Sequence, residues 1–124
     1  TRYVTLARVE TDAGIVGWGE CVSQFPESCL AVKTVVEKGF APLLVGQDAL
    51  EVEARWQQML DRVWWYGPQG IAAFAISAVD MALWDLKGKT LGLPLCNLIG
   101  GKLRERAPST ARCSAQGAQS LNRL

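Results

Sequence analysis

The stretch from Gln69 to about Leu91 constrains the fold more than any other part of the chain. At helical spacing it carries one apolar stripe of Ala72, Ile76, Val79, Leu83 and Leu86, and a second of Ile71, Phe74, Ala78 and Ala82. A helix on the surface of a globular protein shows one such stripe, so a helix apolar on more than one face is buried on several sides. Alanines at 72, 73, 75, 78 and 82 let other elements come close to its axis. Gly92 and then Pro94 end it, because glycine accepts the left-handed closing conformation and proline cannot continue a helix. The rest of the chain has to pack around this element.

What precedes it reads as strands first and helices after. Tyr3 to Thr11 and Ile15 to Cys21 are rich in β-branched and apolar residues, and Asp12-Ala13-Gly14 between them supplies a short hairpin loop. An isolated hairpin is marginal in water and needs a further strand or a packed helix. Val22-Ser23-Gln24-Phe25 reads as a loop, and Pro26 suits a first helical turn, where its missing N–H costs nothing. A helix is expected from Glu27 to Lys38, with Leu30, Val32, Val35 and Val36 as its apolar residues, Gly39 as its terminator and a connecting turn around Pro42. Asp48-Ala49-Leu50-Glu51 has the form of an acidic capping box, and the helix it opens places Val52, Trp56, Met59 and Val63 on one stripe. Leu95 to Ile99 fit one short turn before Gly100-Gly101. The expectation is an α+β fold, a small antiparallel hairpin or meander on a bundle of about three helices. Arg106 to Ala111 read as a strand start, whereas Ser114 to Asn122 are small, polar and without period.

Bulk properties narrow the function by exclusion. With 124 residues, 49% hydrophobic, 20% charged and a net charge of +1, the chain has the size and composition of one globular domain. It lacks the cationic excess of a nucleic-acid or anionic-membrane binder, and no apolar run reaches the roughly 20 residues of a membrane span. Cys21, Cys29, Cys96 and Cys113 are scattered without a CxxC, and there is no histidine. Reduced thiols in a cytoplasmic protein are therefore expected rather than a zinc site or a disulfide framework. The sequence opens on Thr1 within a strand-like run, so a preceding segment carrying the first strand is expected.

Residues Ala75-Ile76-Ser77-Ala78-Val79-Asp80-Met81-Ala82-Leu83-Trp84-Asp85-Leu86-Lys87-Gly88-Lys89, followed by Pro94-Leu95 and Leu98-Ile99-Gly100, resemble the first signature of the mandelate racemase/muconate lactonizing family of the enolase superfamily. Gly17-Trp18-Gly19-Glu20 is similar to the end of that family's strand, and the resemblance runs from about Thr1 to Lys102. It implies an enolase-like N-terminal capping domain over residues 1–102, with residues 103–124 as a remnant or non-native start of a barrel.

The resemblance further implies a parent enzyme whose modified (β/α) barrel binds Mg²⁺ on carboxylates and removes a proton α to a substrate carboxylate. A sugar-acid dehydratase is the expected parent; a racemase, a cycloisomerase, a stand-alone non-catalytic module and a truncated gene product are the alternatives. The family's metal ligands and acid/base groups lie downstream, so no catalytic residue and no bound Mg²⁺ are expected on this chain. What the resemblance does carry over is the loop after the Gly-Trp-Gly-Glu strand. There Ser23 and Gln24 would hydrogen-bond a polyol or carboxylate and Phe25 would wall the pocket, as specificity-setting residues of a lid. The implied partners are the barrel, a carboxylate small molecule and further copies of the full-length enzyme.

Other conspicuous residues read as structural. Asp80 and Asp85 are five apart on a helix and point away from each other, while Asp85 and Lys89 have the favourable spacing and order for an ion pair. Trp64-Trp65-Tyr66 reads as a core or interface cluster ahead of a sugar-stacking platform. Gly67-Pro68-Gln69-Gly70 is a turn feeding a helix rather than a phosphate loop. Glu20 is expected to pair with an arginine, and Lys87 and Lys89 sit where a helix C-terminus favours cations.

Overall fold

The computed structural model describes residues 3–22 and 24–106. Two strands, β1 (Val4–Glu10) and β2 (Val16–Val22), pair antiparallel from Val4↔Val22 to Glu10↔Val16. Thr11 and Ile15 close the hairpin through a Thr11 N–H to Ile15 carbonyl bond of 3.0 Å, and Gly14 takes φ 77° in the loop. Helical segments follow: α1 (Pro26–Thr34), a π-helical stretch (Val35–Phe40), α2 (Ala41–Leu44), α3 (Val52–Arg62), α4 (Ile71–Leu91) and the short α5 (Leu95–Leu98). The fold is α+β as expected, with one face of the hairpin laid on α4.

Alternation along β2 explains that packing. Gly17, Gly19 and Cys21 turn inward and are buried, while Val16, Trp18, Glu20 and Val22 turn outward. A methyl group at Gly17 would meet Leu86 Cβ at 2.7 Å, and one at Gly19 would meet the Ala82 amide nitrogen at 2.8 Å. Glycines on the strand and Ala78 and Ala82 on the helix therefore let the two backbones approach each other closely. The core gathers along α4, with Ala72, Ala75, Ile76, Ala78, Val79, Ala82 and Leu83 buried in one cluster with Val32, Phe40, Val52, Met59 and Val63, while Leu86 is buried beside Gly17. Gly92 (φ 64°) closes α4, with Leu93 N–H on the Gly88 carbonyl at 3.0 Å and Gly92 N–H on that of Lys89 at 3.3 Å. This is the double bond of a glycine-terminated helix.

Several local expectations are corrected. Gly39 does not end the first helix and Pro42 does not sit in a turn: backbone angles at Val35 and Ala41 stay helical, so Pro26 to Leu44 form one continuous rod. The π-helical stretch is the physical reason. Widening the turn ahead of Pro42 accommodates a residue that has no N–H to give and whose ring crowds the carbonyl four residues back. Asp48 and Glu51 do not form a capping box. Asp48 Oδ1 accepts from Leu50 N–H at 2.8 Å in a local turn, and α3 opens at Val52 without a side-chain cap.

The inward stripe of α3 is Val52, Arg55, Met59 and Val63, and Trp56 stays 41% exposed. Arg55 can take that place because its methylene stem packs while its guanidinium donates to Gln47 Oε1 at 2.8 Å and to Glu51 Oε2 at 2.9 Å. The second stripe of α4 is only half covered: Ala78 and Ala82 are buried, but Phe74 is 39% exposed.

Candidate functional site

The candidate lid loop leaves β2 at Val22 and enters α1 at Pro26. Ser23 lies outside the described residues; Gln24 and Phe25 are exposed. Phe25 holds extended angles (φ −124°, ψ 150°) as the residue before the helix, and Pro26 occupies the first turn as its fixed φ favours. The Phe25 carbonyl is tied down twice, accepting from Ser28 Oγ at 2.7 Å and from Cys29 N–H at 3.2 Å. The backbone at Phe25 is thereby fixed while its ring, 57% exposed, stands in solvent.

The hairpin register adds a residue that the sequence reading missed. Pairing of Val4 with Val22 brings Tyr3 to the same end of the sheet as Gln24 and Phe25, and Tyr3 is exposed. The signal was available in the Asp12-Ala13-Gly14 turn, because a fixed loop length fixes which residues end up opposite each other.

A second region lies where β2 meets the C-terminal half of α4. Asp85 Oδ2 accepts from Trp18 N–H at 2.8 Å and from Lys89 Nζ at 2.6 Å, and Lys89 Nζ also donates to the Val16 carbonyl at 2.9 Å. The expected Asp85–Lys89 pair thus forms, and it caps the free edge of β2. The Lys89 hydrogen bond and then the Trp18 N–H hold the Asp85 carboxyl below the usual carboxylate range. Beside this clamp is an open groove of about 460 Å³ bordered by Trp18, Met81, Trp84, Leu93 and Leu95. Lys87 Nζ lies 5.3 Å from the Trp84 ring centroid.

Asp80 is not brought to Asp85. It is half-buried on α4, and burial raises its carboxyl above the ordinary value. Glu20 faces outward across from Leu6 and forms no ion pair among the described residues, contrary to expectation. Trp64, Trp65 and Tyr66 do not enter the core: they are 72%, 80% and 58% exposed, with the two indoles edge to face at 5.3 Å. Cys29 and Cys96 are thiols outside any disulfide among the described residues. Among the described residues no three His, Cys, Asp or Glu side chains approach closely enough to share a metal, and no helix is long and apolar enough to cross a membrane.

Comparison with known proteins places these features. Residues 1–100 match the family described as the mandelate racemase/muconate lactonizing enzyme, N-terminal domain. The D-galactonate dehydratase family member ManD of Chromohalobacter salexigens is 40% identical over 115 residues, covering 92% of this chain and 27% of that protein. The D-galactonate dehydratase of Verminephrobacter eiseniae is 42% identical over 99 residues, covering 80% of this chain and 25% of its own length. Among solved structures, a mandelate racemase/muconate lactonizing protein from Paracoccus denitrificans superposes with a TM-score of 0.76 at 36% identity, over 97% of this chain and 34% of that one. The chain thus spans about a quarter of the length of the curated relatives it matches. A hairpin seated on α4 through Gly17 and Gly19, with the relatives' sequence along both, makes this chain a member of the mandelate racemase/muconate lactonizing family of the enolase superfamily, in its N-terminal domain.

Proposed function

We propose that residues 1–102 are the capping, specificity-setting part of a Mg²⁺-dependent sugar-acid dehydratase. Its metal and proton-transfer groups would lie in a (β/α) barrel outside the described residues, with residues 103–124 a remnant or non-native start of that barrel. The observation that carries this reading is the uncovered side of α4. A helix apolar on more than one face is stable when buried on several sides, yet here Phe74 and Met81 remain 39% and 48% exposed. Trp18, Leu93 and Leu95 extend that surface around the 460 Å³ groove. Soluble monomers rarely leave large contiguous apolar patches to water, and a second domain seated there would cover this one.

The carboxylates described above do not gather into a metal-holding group, so no Mg²⁺-dependent step is assigned to this chain. Its own contribution is positioning and exclusion of water. Ser23 and Gln24 would offer hydrogen bonds to hydroxyl or carboxylate oxygens of an acid sugar, and Phe25 would close the pocket's wall. The D-galactonate dehydratases among the relatives supply the substrate class. The Cys29 and Cys96 thiols agree with a reducing, cytoplasmic setting, and the exposed Trp64-Trp65-Tyr66 cluster agrees with self-association of the full-length enzyme.

The test is a chimera in which residues 1–100 replace the matched quarter of the Verminephrobacter eiseniae D-galactonate dehydratase. Retained turnover is expected. Phe25→Ala in that chimera should change kcat/KM for D-galactonate relative to a shorter aldonate by about tenfold, the scale of a lost apolar pocket contact. Unchanged discrimination by Phe25→Ala together with Gln24→Ala would remove the lid assignment.

A further inference from the structure

The side chains of the hairpin alternate the wrong way round for a sheet with one wet face. An antiparallel sheet on a globular domain turns apolar residues to the core and polar ones to water. Here the inner face holds the small residues Ala7, Gly17, Gly19 and Cys21, and the outer face holds the large ones. Val4, Leu6, Trp18 and Val22 all point away from α4 and are exposed. Two charged groups sit among them. Arg8 forms an ion pair with Glu10 at 2.7 Å, whereas Glu20 meets no cation among the described residues.

The register fixes how these groups are arranged. Leu6 lies opposite Glu20, and Arg8 lies opposite Trp18. Trp18 N–H reaches Asp85 rather than β1. These are therefore the non-hydrogen-bonded pairs of the ladder, with Cα atoms about 4.5 Å apart. Along each strand, residues two apart are separated by about 7 Å. The four side chains thus mark a rectangle with an apolar diagonal, Leu6–Trp18, and a charged diagonal, Arg8–Glu20. A half-turn about the apolar diagonal returns Leu6 and Trp18 to their own places. From the same spacings it carries Arg8 to within about 3 Å of the place of Glu20, well inside the reach of two long side chains. The face is complementary to itself, which is the condition for a two-fold interface.

We propose that the outer face of the hairpin is a self-association surface. Two copies pack face to face across a two-fold axis along Leu6–Trp18, and Arg8 of each copy donates to Glu20 of the other. Their strands cross at about 70°, close to the orthogonal class of sheet packing. A second copy is the occupant that the charges select, because it brings a guanidinium to each Glu20 and a carboxylate to each Arg8 at one matching distance. The planar fork of Arg8 has donors for Glu10 and for a second carboxylate. Leu6 and Trp18 lose water at the centre while the charged pairs flank them, as in the core and rim of an interface. The Trp64-Trp65-Tyr66 cluster follows α3 and is no part of this face. This inference goes beyond the capping function and does not depend on it.

Sedimentation equilibrium of the 124-residue chain over a range of concentrations tests it. A monomer–dimer equilibrium is expected. Arg8→Glu and Glu20→Arg should each weaken the dimer about tenfold or more, because each sets like charges against each other twice per dimer. An equimolar mixture of the two variants should dimerise again, since every charged contact in the mixed pair joins opposite signs. Damage to the fold would not be repaired by mixing. Isotope-filtered NOEs between labelled and unlabelled wild-type chains keep the test valid if a variant unfolds, and should join Leu6 methyl groups of the two copies. A monomeric wild-type chain, or dimerisation indifferent to both charge reversals, would overturn the proposal. So would folded variants that stay apart on mixing, or intermolecular NOEs at Met81 or Trp65 in place of Leu6. None of these outcomes bears on the chimera's turnover, so this inference and the capping function fail separately.

Discussion

Gly19→Ala puts the close approach of β2 and α4 to a numerical test. A Cβ at residue 19 would lie 2.8 Å from the Ala82 nitrogen and 3.0 Å from the Ala78 carbonyl carbon, and nearer still to the Ala78 carbonyl oxygen. These are backbone atoms of the central helix and cannot rotate aside as a side chain would. Overpacking a core costs about 1–3 kcal/mol, and a clash against backbone belongs at the top of that range. Replacing a strand glycine by alanine returns about 0.5–1 kcal/mol through reduced unfolded-state freedom. The net loss is then about 2 kcal/mol or more, which for a domain of this size lowers Tm by roughly 10 °C.

Gly39→Ala is the internal comparison. Gly39 lies within the π-helical stretch without a positive φ, and its nearest neighbour to an added methyl is Val35 Cγ1 at 4.0 Å, so that variant should gain about 0.5–1 kcal/mol. Urea titrations followed by far-UV circular dichroism read both. Wild-type stability in Gly19→Ala, or equal effects of opposite-signed expectation at the two sites, would refute the packing argument.

Four further outcomes follow from the described contacts. Asp80→Asn should stabilise the domain at neutral pH. The folded pKa of Asp80 is raised by burial, so the ionised carboxylate opposes folding above that value; the gain should fade as pH falls towards the ordinary carboxylate pKa, visible in Tm against pH. Lys89→Met should cost about 0.5–1 kcal/mol at pH 7, since the pair is half exposed but also holds a strand edge. Because the folded pKa of Asp85 is lowered, its stabilisation is present at neutral pH and is lost as pH falls from the ordinary carboxylate value through that lowered one. Arg55→Met should stay within about 1 kcal/mol of wild type, whereas Arg55→Ala should cost about 2–4 kcal/mol, because the buried stem matters more than a charge whose Nε has no partner.

Much of the fold was legible because its signals are local. Asp12-Ala13-Gly14 sets the hairpin, Gly92 and Pro94 stop α4, and the stripe from Ala72 to Leu86 marks the core face. Gly39 and Pro42 misled because both read as punctuation, while the chain absorbs them by widening one turn; nothing in single-residue propensity announces a π-helical stretch. Arg55 was passed over for Trp56 because hydrophobicity ranks the indole higher, whereas burial of the arginine depends on partners at Gln47 and Glu51 that only the folded geometry brings in. For the proposed lid, Ser23, Gln24 and Phe25 are named from their place after the Gly-Trp-Gly-Glu strand. Tyr3 required the register, which relates residues about twenty apart in sequence.

The central claim is that the chain shapes and covers a site whose chemistry resides elsewhere. Its most direct measurement is calorimetric titration of the purified 124-residue chain with Mg²⁺, run beside an assay for D-galactonate dehydration. Neither heat of specific binding nor turnover is expected from the chain alone. A stoichiometric Mg²⁺ site on its carboxylates, or metal-dependent loss of water from the sugar acid, would contradict it.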